Sequence, residues 1–256
     1  MRTLIAVMLA CSLGLTACGD GGSSSKQVLS GNWQLMLTNT ATSAVKSESG
    51  FFVQSGDSLA GGLLLAGQTA CPGVGSAQGQ VKGSNVSITV NQVGETVNLT
   101  GTAASDGSKM SGDYSIFASP CGANQVGTWT ADQVHTLTGN FTATFTSTTT
   151  PGLVMDFTGM IAQGPNNGGS TAILTGSMMS SDAPCLSNAS VTGQISGTAV
   201  VFNLLGPEGT AVGQYVGTAT PDASTITGTY DLFPQASGAC KDFGNGTVTL
   251  QPGAGA

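Results

Sequence analysis

The chain has 256 residues, of which 39% are hydrophobic and only 7% are charged. This hydrophobic content separates it from disordered chains, which combine few apolar residues with a high net charge. The chain carries six Lys and Arg residues against 13 acidic ones, and it lacks the basic stripe that contacts phosphates, so nucleic acid is not an expected partner.

Residues 1–17 are predicted to be a secretory signal peptide. Arg2 supplies a positive start, and Leu4 to Leu15 form an apolar run that is too short for a spanning helix, which needs about 20 apolar residues. The run ends in Leu15-Thr16-Ala17-Cys18, which resembles the lipobox of bacterial lipoproteins. The resemblance implies cleavage before Cys18, acylation of its sulfur and amino group with chains such as palmitate, and a membrane anchor. The alternative is an ordinary secretory signal that happens to contain this Cys.

Residues 18–30 are predicted to be the lipidated Cys and a flexible tether. The Gly/Ser-rich composition is typical of a coil with a reach of about 20 Å. Several acyl chains would hold the protein firmly, because each buried methylene contributes about 0.8 kcal/mol. The predicted location is therefore the cell envelope. Gly19 follows the Cys, and by resemblance to enterobacterial lipoprotein sorting this favours the outer membrane over the inner membrane.

The rest of the chain contains one pattern twice. Residues 109–117 read KMSGDYSIF, and residues 225–233 read TITGTYDLF. The other matched pairs in the two copies are Gly31-Asn32-Trp33 with Gly139-Asn140-Phe141, Gly79-Gln80-Val81 with Gly193-Gln194-Ile195, Gly101-Thr102-Ala103 with Gly217-Thr218-Ala219, and Gly127-Thr128-Trp129 with Gly246-Thr247-Val248. We therefore predict two domains, each the size of a small independent unit: residues 31–133 and 139–251, with a linker at 134–138 and a tail at 252–256.

Both domains are predicted to be all-β, with about eight strands each in an antiparallel meander. Val86, Ile88 and Val90 alternate with polar residues. An alternation of this kind is typical of a β-strand with one face buried and the other in solvent. Links such as Gly83-Ser84-Asn85 are typical of hairpin turns. The strands predicted in copy one are 31–38, 47–55, 58–66, 75–83, 85–91, 96–104, 109–117 and 126–132. Eight such strands form either a closed barrel without exposed edges or a flattened sandwich.

The first strand of copy one begins with Gly31-Asn32-Trp33, which resembles the Gly-x-Trp start of the calycins, the lipocalin and avidin group. The resemblance implies an eight-stranded meander barrel, and no ligand-binding residue of that group carries over. Copy two has Phe141 in place of the Trp. The alternative, which we favour, is that Trp33 and Phe141 close the base of each hydrophobic core.

Four cysteines remain in the mature chain, an even number, which in an exported protein predicts disulfides. They are Cys71, Cys121, Cys185 and Cys240. Three pairings are possible, and only Cys71–Cys121 with Cys185–Cys240 closes each domain on itself. A loop of about 50 residues closed in this way contributes about 4 kcal/mol. A zinc site would need thiolates from both halves, so neither a metal site nor a cofactor is predicted.

No catalytic residue is predicted, and the protein is not expected to be an enzyme. His135, the single His of the chain, lies between the copies and has no counterpart in copy two. A linker position is favoured over a catalytic base, although Asp132 is nearby in the sequence. Asp113 and Asp231 flank the repeated Tyr at different offsets, so the duplication does not preserve a carboxylate pair of the kind that glycosidases use. The other acidic residues are interpreted as solvated loop residues.

The leading hypothesis is therefore a lipid-anchored envelope protein that recognises a small molecule or an envelope partner through its loops. The alternatives are a hydrolase of envelope polymers and a structural or protease-inhibitor-like protein. In an eight-stranded meander the odd-numbered connections share one end, and long loops on a rigid scaffold usually carry binding. Long odd-numbered loops are predicted at 39–47, 67–74 and 118–126 in copy one, and at 146–153, 179–188 and 234–245 in copy two.

Overall fold

The computed structural model describes residues 27–65, 73–118, 122–166, 168–183, 186–206, 209–233 and 244–253. The protein is all-β, and its strands form two closed antiparallel barrels in tandem. Among the residues in these ranges, no helix has both the length and the apolar character needed to cross a membrane.

Barrel 1 pairs its eight strands in chain order and closes by pairing the eighth strand with the first. Its strands are β1 (Gly31–Asn39), β2 (Val45–Ser55), β3 (Ser58–Leu65), β4 (Gly73–Lys82), β5 (Asn85–Gln92), β6 (Glu95–Ala103), β7 (Lys109–Ala118) and β8 (Gln125–Val134). Two-residue turns follow β2, β4 and β5. Each contains a Gly with a positive φ, between 60° and 78°, a backbone conformation that hairpin turns require and that Gly adopts without strain.

Barrel 2 has the same topology and closes by pairing its last strand with its first. Its strands are β9 (Gly139–Ser147), β10 (Val154–Gln163), β11 (Ala172–Met179), β12 (Ala189–Ser196), β13 (Ala199–Leu205), β14 (Ala211–Ala219), β15 (Ile226–Leu232) and β16 (Gly244–Pro252). The prediction of two tandem eight-stranded meander domains is confirmed. Of the two architectures left open, the closed barrel is the one observed in both copies.

The first connection of barrel 1 is shorter than predicted. A long loop was expected from Asn39 to Ser47, but β1 continues to Asn39 and β2 begins at Val45. The side chain of Asn39 explains the tight turn, because its Oδ1 accepts hydrogen bonds from the backbone N–H groups of Ala41 (2.8 Å) and Thr42 (3.1 Å). An Asn that caps its own turn in this way lets both strands extend to within a few residues of each other.

The duplicated pattern contains glycines that pair with one another across neighbouring strands. Gly101 pairs with Gly112 in barrel 1, and Gly217 pairs with Gly228 in barrel 2. A Cβ on Gly112 would collide with the carbonyl oxygen of Thr100. These positions therefore require Gly, as is usual where strands of a small barrel bend sharply.

The tyrosines of the pattern cover a second pair of glycines. Tyr114 pairs with Gly127, and Tyr230 pairs with Gly246. A Cβ built on either Gly would lie 2.6 Å or 2.7 Å from the facing Tyr ring, so each ring packs directly on the backbone of the next strand. The registers confirm the alignment of the two copies, because equivalent residues make equivalent pairs.

Candidate functional site

Each barrel has two ends, which differ in the connections that they carry. The first, third, fifth and seventh connections lie at one end, here called the odd end. The even-numbered connections, together with the points where the chain enters and leaves, lie at the other end, here called the base end. The ends of β3, β4, β7 and β8 place the connections that contain two of the cysteines at the odd end of barrel 1. The cysteines themselves lie outside the described residues, so the lipidation and the disulfide pairing stay predictions: Cys18, Cys71, Cys121, Cys185 and Cys240.

The segment before β1 folds across the base end of barrel 1 as a clasp. Leu29 is fully buried, and its N–H donates to Gln54 Oε1 at 2.7 Å. Ser30 Oγ accepts from the backbone N–H of Gln54 at 2.8 Å. The indole Nε1 of Trp33 donates to the carbonyl of Leu29 at 3.0 Å. Trp33 thus lies in the core, and its polar atom ties down the entering chain.

The segment before β9 makes the same clasp in barrel 2. Leu137 is fully buried, its N–H donates to Gln163 Oε1 at 3.0 Å, and Thr138 Oγ1 accepts from the backbone N–H of Gln163 at 3.2 Å. This element was not predicted from the sequence. The signal for it was present, because Leu-Ser-Gly precedes β1, Leu-Thr-Gly precedes β9, and a Gln stands near the end of the second strand in both copies.

A polar joint connects the outer wall of barrel 1 to the base end of barrel 2. Asn32, only 2% exposed, donates from Nδ2 to the carbonyl of Gly197 and accepts at Oδ1 from the Gly197 N–H, both at 2.7 Å. Gln34 Oε1 accepts from the N–H and the hydroxyl of Thr198, both at 3.0 Å. The turn between β12 and β13 is therefore held by side chains of β1.

Further contacts bury the wall around this turn. The hydroxyls of Ser49 and Ser196 are 2.8 Å apart, and Ser196 Oγ donates to the carbonyl of Ser170 at 2.7 Å. Phe51, on the same outer wall, is buried among the core residues of barrel 2. The N–H of His135 donates to the Pro221 carbonyl at 2.8 Å. The base end of barrel 2 is thus occupied by barrel 1 and by its own clasp.

Two buried carboxylates face the interior of barrel 1, and the sequence analysis was wrong to interpret them as solvated. Glu48 is 2% exposed and Glu95 is 4% exposed. Glu48 pairs with Leu35, a core residue, so both side chains lie on the inner face of the wall. Glu95 is the first residue of β6, at the odd end, and its Oε2 accepts from Gln92 Nε2 at 3.1 Å. Because β2 and β6 stand four strands apart in an eight-stranded barrel, the two carboxylates project from opposite walls.

Barrel 2 has no equivalent of this arrangement among its described residues. The registers of β1 with β2 and of β9 with β10 make Phe157 the counterpart of Glu48. The Phe157 ring packs 4.6 Å from Phe145, which lies 4.8 Å from Tyr230. Burial raises the pKa of the Tyr230 hydroxyl. Barrel 2 is therefore aromatic where barrel 1 carries a carboxylate.

Both copies expose apolar side chains at equivalent positions near the odd end. Phe117, near the end of β7, is 56% exposed, and Phe233, its counterpart, is 36% exposed. Val45 and Val154 are the first residues of β2 and β10, and about half of each is exposed. Since leaving a large apolar side chain in water forgoes about 1.5–3 kcal/mol of burial, these pairs mark the odd ends as surfaces suited to contact with another molecule.

The polar residues singled out from the sequence do not converge on one site. His135 is exposed beside the joint. Asp132 forms an ion pair with Lys109, with 2.6 Å between Nζ and Oδ1. Asp113 lies on the outer face of barrel 1, and Asp231 lines a shallow groove of about 440 Å³ on the outer face of barrel 2. Within the described part of the chain, no three His, Cys, Asp or Glu side chains are grouped so as to hold a metal ion.

The comparisons with known proteins assign no family to this chain. The sequence matches no protein-family model and no curated protein. Among solved structures, kievitone hydratase from Nectria haematococca is similar over 90% of this chain and 92% of that chain, with 10% identity and a TM-score of 0.26. A similarity at that level carries no argument about function. The class that the fold defines is a tandem pair of closed eight-stranded antiparallel barrels.

Proposed function

We propose that the protein is a lipid-anchored envelope protein whose barrels present their odd ends for the non-catalytic recognition of a small molecule or an envelope partner. The proposal rests on the contacts that already occupy the two base ends. Each is closed by a clasp, at Leu29 and at Leu137, and that of barrel 2 also docks on barrel 1 through Gly197. The described residues of the odd ends take no part in these contacts.

The position at which the tether joins barrel 1 also favours recognition at the odd end. The proposed tether runs from Cys18 to the clasp at Leu29, which lies at the base end of barrel 1. The tether therefore attaches to barrel 1 on the side opposite its odd end, which leaves the odd end free of the attachment point. Recognition loops placed at that end would be accessible to molecules of the compartment.

The two odd ends present equivalent aromatic side chains to a partner. Phe117 of barrel 1 is 56% exposed and Phe233 of barrel 2 is 36% exposed, whereas Glu48, Glu95 and Phe157 are buried inside the barrels. Rigid aromatic side chains are favoured anchors in interfaces, and a few such residues usually dominate the affinity. The duplication would therefore provide two related surfaces.

The buried carboxylates favour one second candidate, hydrolysis of an envelope polymer. Glycoside hydrolysis commonly uses two carboxyl groups on opposite sides of the bound sugar. Glu48 and Glu95 lie on opposite inner walls of barrel 1 and both are buried, so this candidate requires the substrate to enter the barrel. Turnover of purified envelope polysaccharide that is abolished in both Glu48→Gln and Glu95→Gln would establish this candidate in place of recognition alone.

Lipidation is tested by metabolic labelling with a palmitate analogue. The Cys18→Ser variant is expected to lose the label completely, because a hydroxyl does not replace the thiol in thioether formation. The Cys11→Ser variant, altered within the signal peptide, is the matched control and should keep the label. Retention of the label by Cys18→Ser would contradict the proposed anchor.

Recognition is tested by native mass spectrometry of the protein extracted gently from its own envelope. The expected result is a co-isolated component that remains bound in the Ser55→Asp variant, which alters the base end, and is lost in Val93→Asp, which alters the odd end. Protein that carries no bound component, or a component lost only on changing Ser55, would overturn the proposal.

A further inference from the structure

We propose that barrel 2 carries a second docking wall equivalent to the one that barrel 1 uses in the joint, and that its occupant is the base end of barrel 1 of a second copy of this chain. The result is head-to-tail self-association. The proposal rests on the joint and on the internal duplication, and it does not depend on what the odd ends recognise.

The wall in use on barrel 1 is defined by three outward side chains of β1 and β2. They are Asn32, Ser49 and Phe51, which are 2%, 8% and 4% exposed. The turn Ser196-Gly197-Thr198 covers Asn32 and Ser49, through the paired hydrogen bonds of Asn32 with Gly197 and the contact of Ser49 with Ser196. Phe51 packs among the core residues of barrel 2.

The strand registers locate the equivalent wall on barrel 2. Gly31 pairs with Phe52 in barrel 1, and Gly139 pairs with Ile161 in barrel 2. Counting along the strands from these pairs, Asn140 corresponds to Asn32, Thr158 to Ser49, and Met160 to Phe51. All three are exposed, and Met160 is 54% exposed where Phe51 is 4%. The same strand face is therefore covered in one barrel and open in the other.

The equivalent turn on barrel 1 is Lys82-Gly83-Ser84, between β4 and β5. Gly83 and Gly197 share the left-handed backbone conformation, with φ of 60° and 55°. Around Gly197 a Cβ would meet Ser49 at 2.6 Å, whereas no atom of the described residues lies within 4 Å of a Cβ on Gly83. One copy of the chain thus presents a free turn at one end and a free wall at the other.

The charges of the two free surfaces complement each other. Lys82 replaces Ser196 in the turn and would face Thr158, the counterpart of Ser49. Asp156 lies two residues from Thr158 on the same outward face of β10, a separation of about 7 Å along a strand, within reach of a Lys side chain. Gln34 is replaced by Thr142, which is shorter, so we expect the contact between copies to be weaker than the joint and dependent on concentration.

The symmetry of the contact predicts the form of the assembly. A turn on one copy that docks on a wall of the next is a heterologous contact, and such contacts extend into open chains unless the rotation closes a ring. We therefore expect a series of dimers, trimers and larger species rather than a single closed dimer.

The test is zero-length carbodiimide cross-linking of the purified protein in detergent solution at increasing concentration. We expect a ladder of oligomers whose cross-linked peptides join Lys82 of one copy to Asp156 of another. Met160→Asp should reduce the ladder at least tenfold, while Met160→Leu should retain it. Val216→Asp is the matched control, because Val216 is 50% exposed on a different wall of the same barrel, and it should leave the ladder unchanged.

Thermal melting of each variant separates loss of docking from loss of folding, since Met160→Asp and Val216→Asp should melt alike. The proposal is overturned if the protein shows no cross-linked oligomer at any concentration. It is also overturned if the oligomers persist in Met160→Asp, or if their cross-links join other surfaces.

Discussion

Replacing Trp33 with Ala is expected to lower the free energy of unfolding of barrel 1 by about 3–5 kcal/mol, the usual cost of truncating a buried Trp or Phe. Trp33 is fully buried, its ring centroid lies 6.5 Å from that of Phe52, and its Nε1 donates to the carbonyl of Leu29. Truncation therefore opens a cavity at the base end and also removes a bond of the clasp. A loss of this size is a large part of the stability of a small domain, about 5–15 kcal/mol.

Trp33→Phe is the informative companion variant, because copy two has Phe141 at the same place. It keeps most of the packing and loses the hydrogen bond to Leu29, so we expect a cost of about 1–2 kcal/mol. Val216→Ala, at an exposed site, should change stability by no more than about 0.5 kcal/mol. Denaturant unfolding followed by circular dichroism measures all three. A loss below about 1 kcal/mol for Trp33→Ala would contradict its role as the base of the core.

Replacing Asn32 with Ala is expected to weaken the joint by about 2–4 kcal/mol. The variant leaves the N–H and the carbonyl of Gly197 without partners in a buried contact, and each unsatisfied group costs about 1–3 kcal/mol. Both hydrogen bonds are 2.7 Å long in the intact joint. Because Asn32 makes two of the buried hydrogen bonds between the barrels, we expect their unfolding transitions to move apart in scanning calorimetry.

Asn140→Ala is the matched control for the joint. Asn140 occupies the same position in copy two but is exposed, so its truncation should change stability by no more than about 0.5 kcal/mol. If Asn32→Ala and Asn140→Ala proved equally mild, the joint would not couple the barrels. If both proved equally severe, the side chain would act within each barrel rather than between them.

Most of the strand pattern could be predicted from the sequence, because the information is local. Val86, Ile88 and Val90 alternate with polar residues, and β5 is found at Asn85–Gln92, close to the predicted 85–91. The Gly of the Gly83-Ser84 turn has the positive φ that its residue type suggests. Counting such alternating runs along copy one predicted its eight strands, and the duplication extended the prediction to copy two.

The features that were missed depend on contacts between residues far apart in the sequence. Asn32 and Gly197 are 165 residues apart, and no local pattern indicates that they meet. The inward direction of Glu48 follows from its register with Leu35, whereas in the sequence Glu48 was grouped with the other scattered acidic residues, which were interpreted as solvated. The clasp was missed because Leu29 and Leu137 stand outside the alternating strands and were assigned to flexible segments.

Photo-cross-linking from the two ends of the barrels, in intact cells, tests the central claim most directly. A benzophenone amino acid is placed at Val93, which is 93% exposed in the odd-end turn between β5 and β6, or at Thr210, exposed at the odd end of barrel 2. The control position is Ser55, exposed at the base end of barrel 1, where an adduct with a second copy of this chain reports self-association and is counted separately. Recognition through the odd ends predicts specific adducts with a molecule other than this chain from Val93 or Thr210, and none of that kind from Ser55. Adducts with another molecule from Ser55 alone, or in equal yield from both ends, would contradict it.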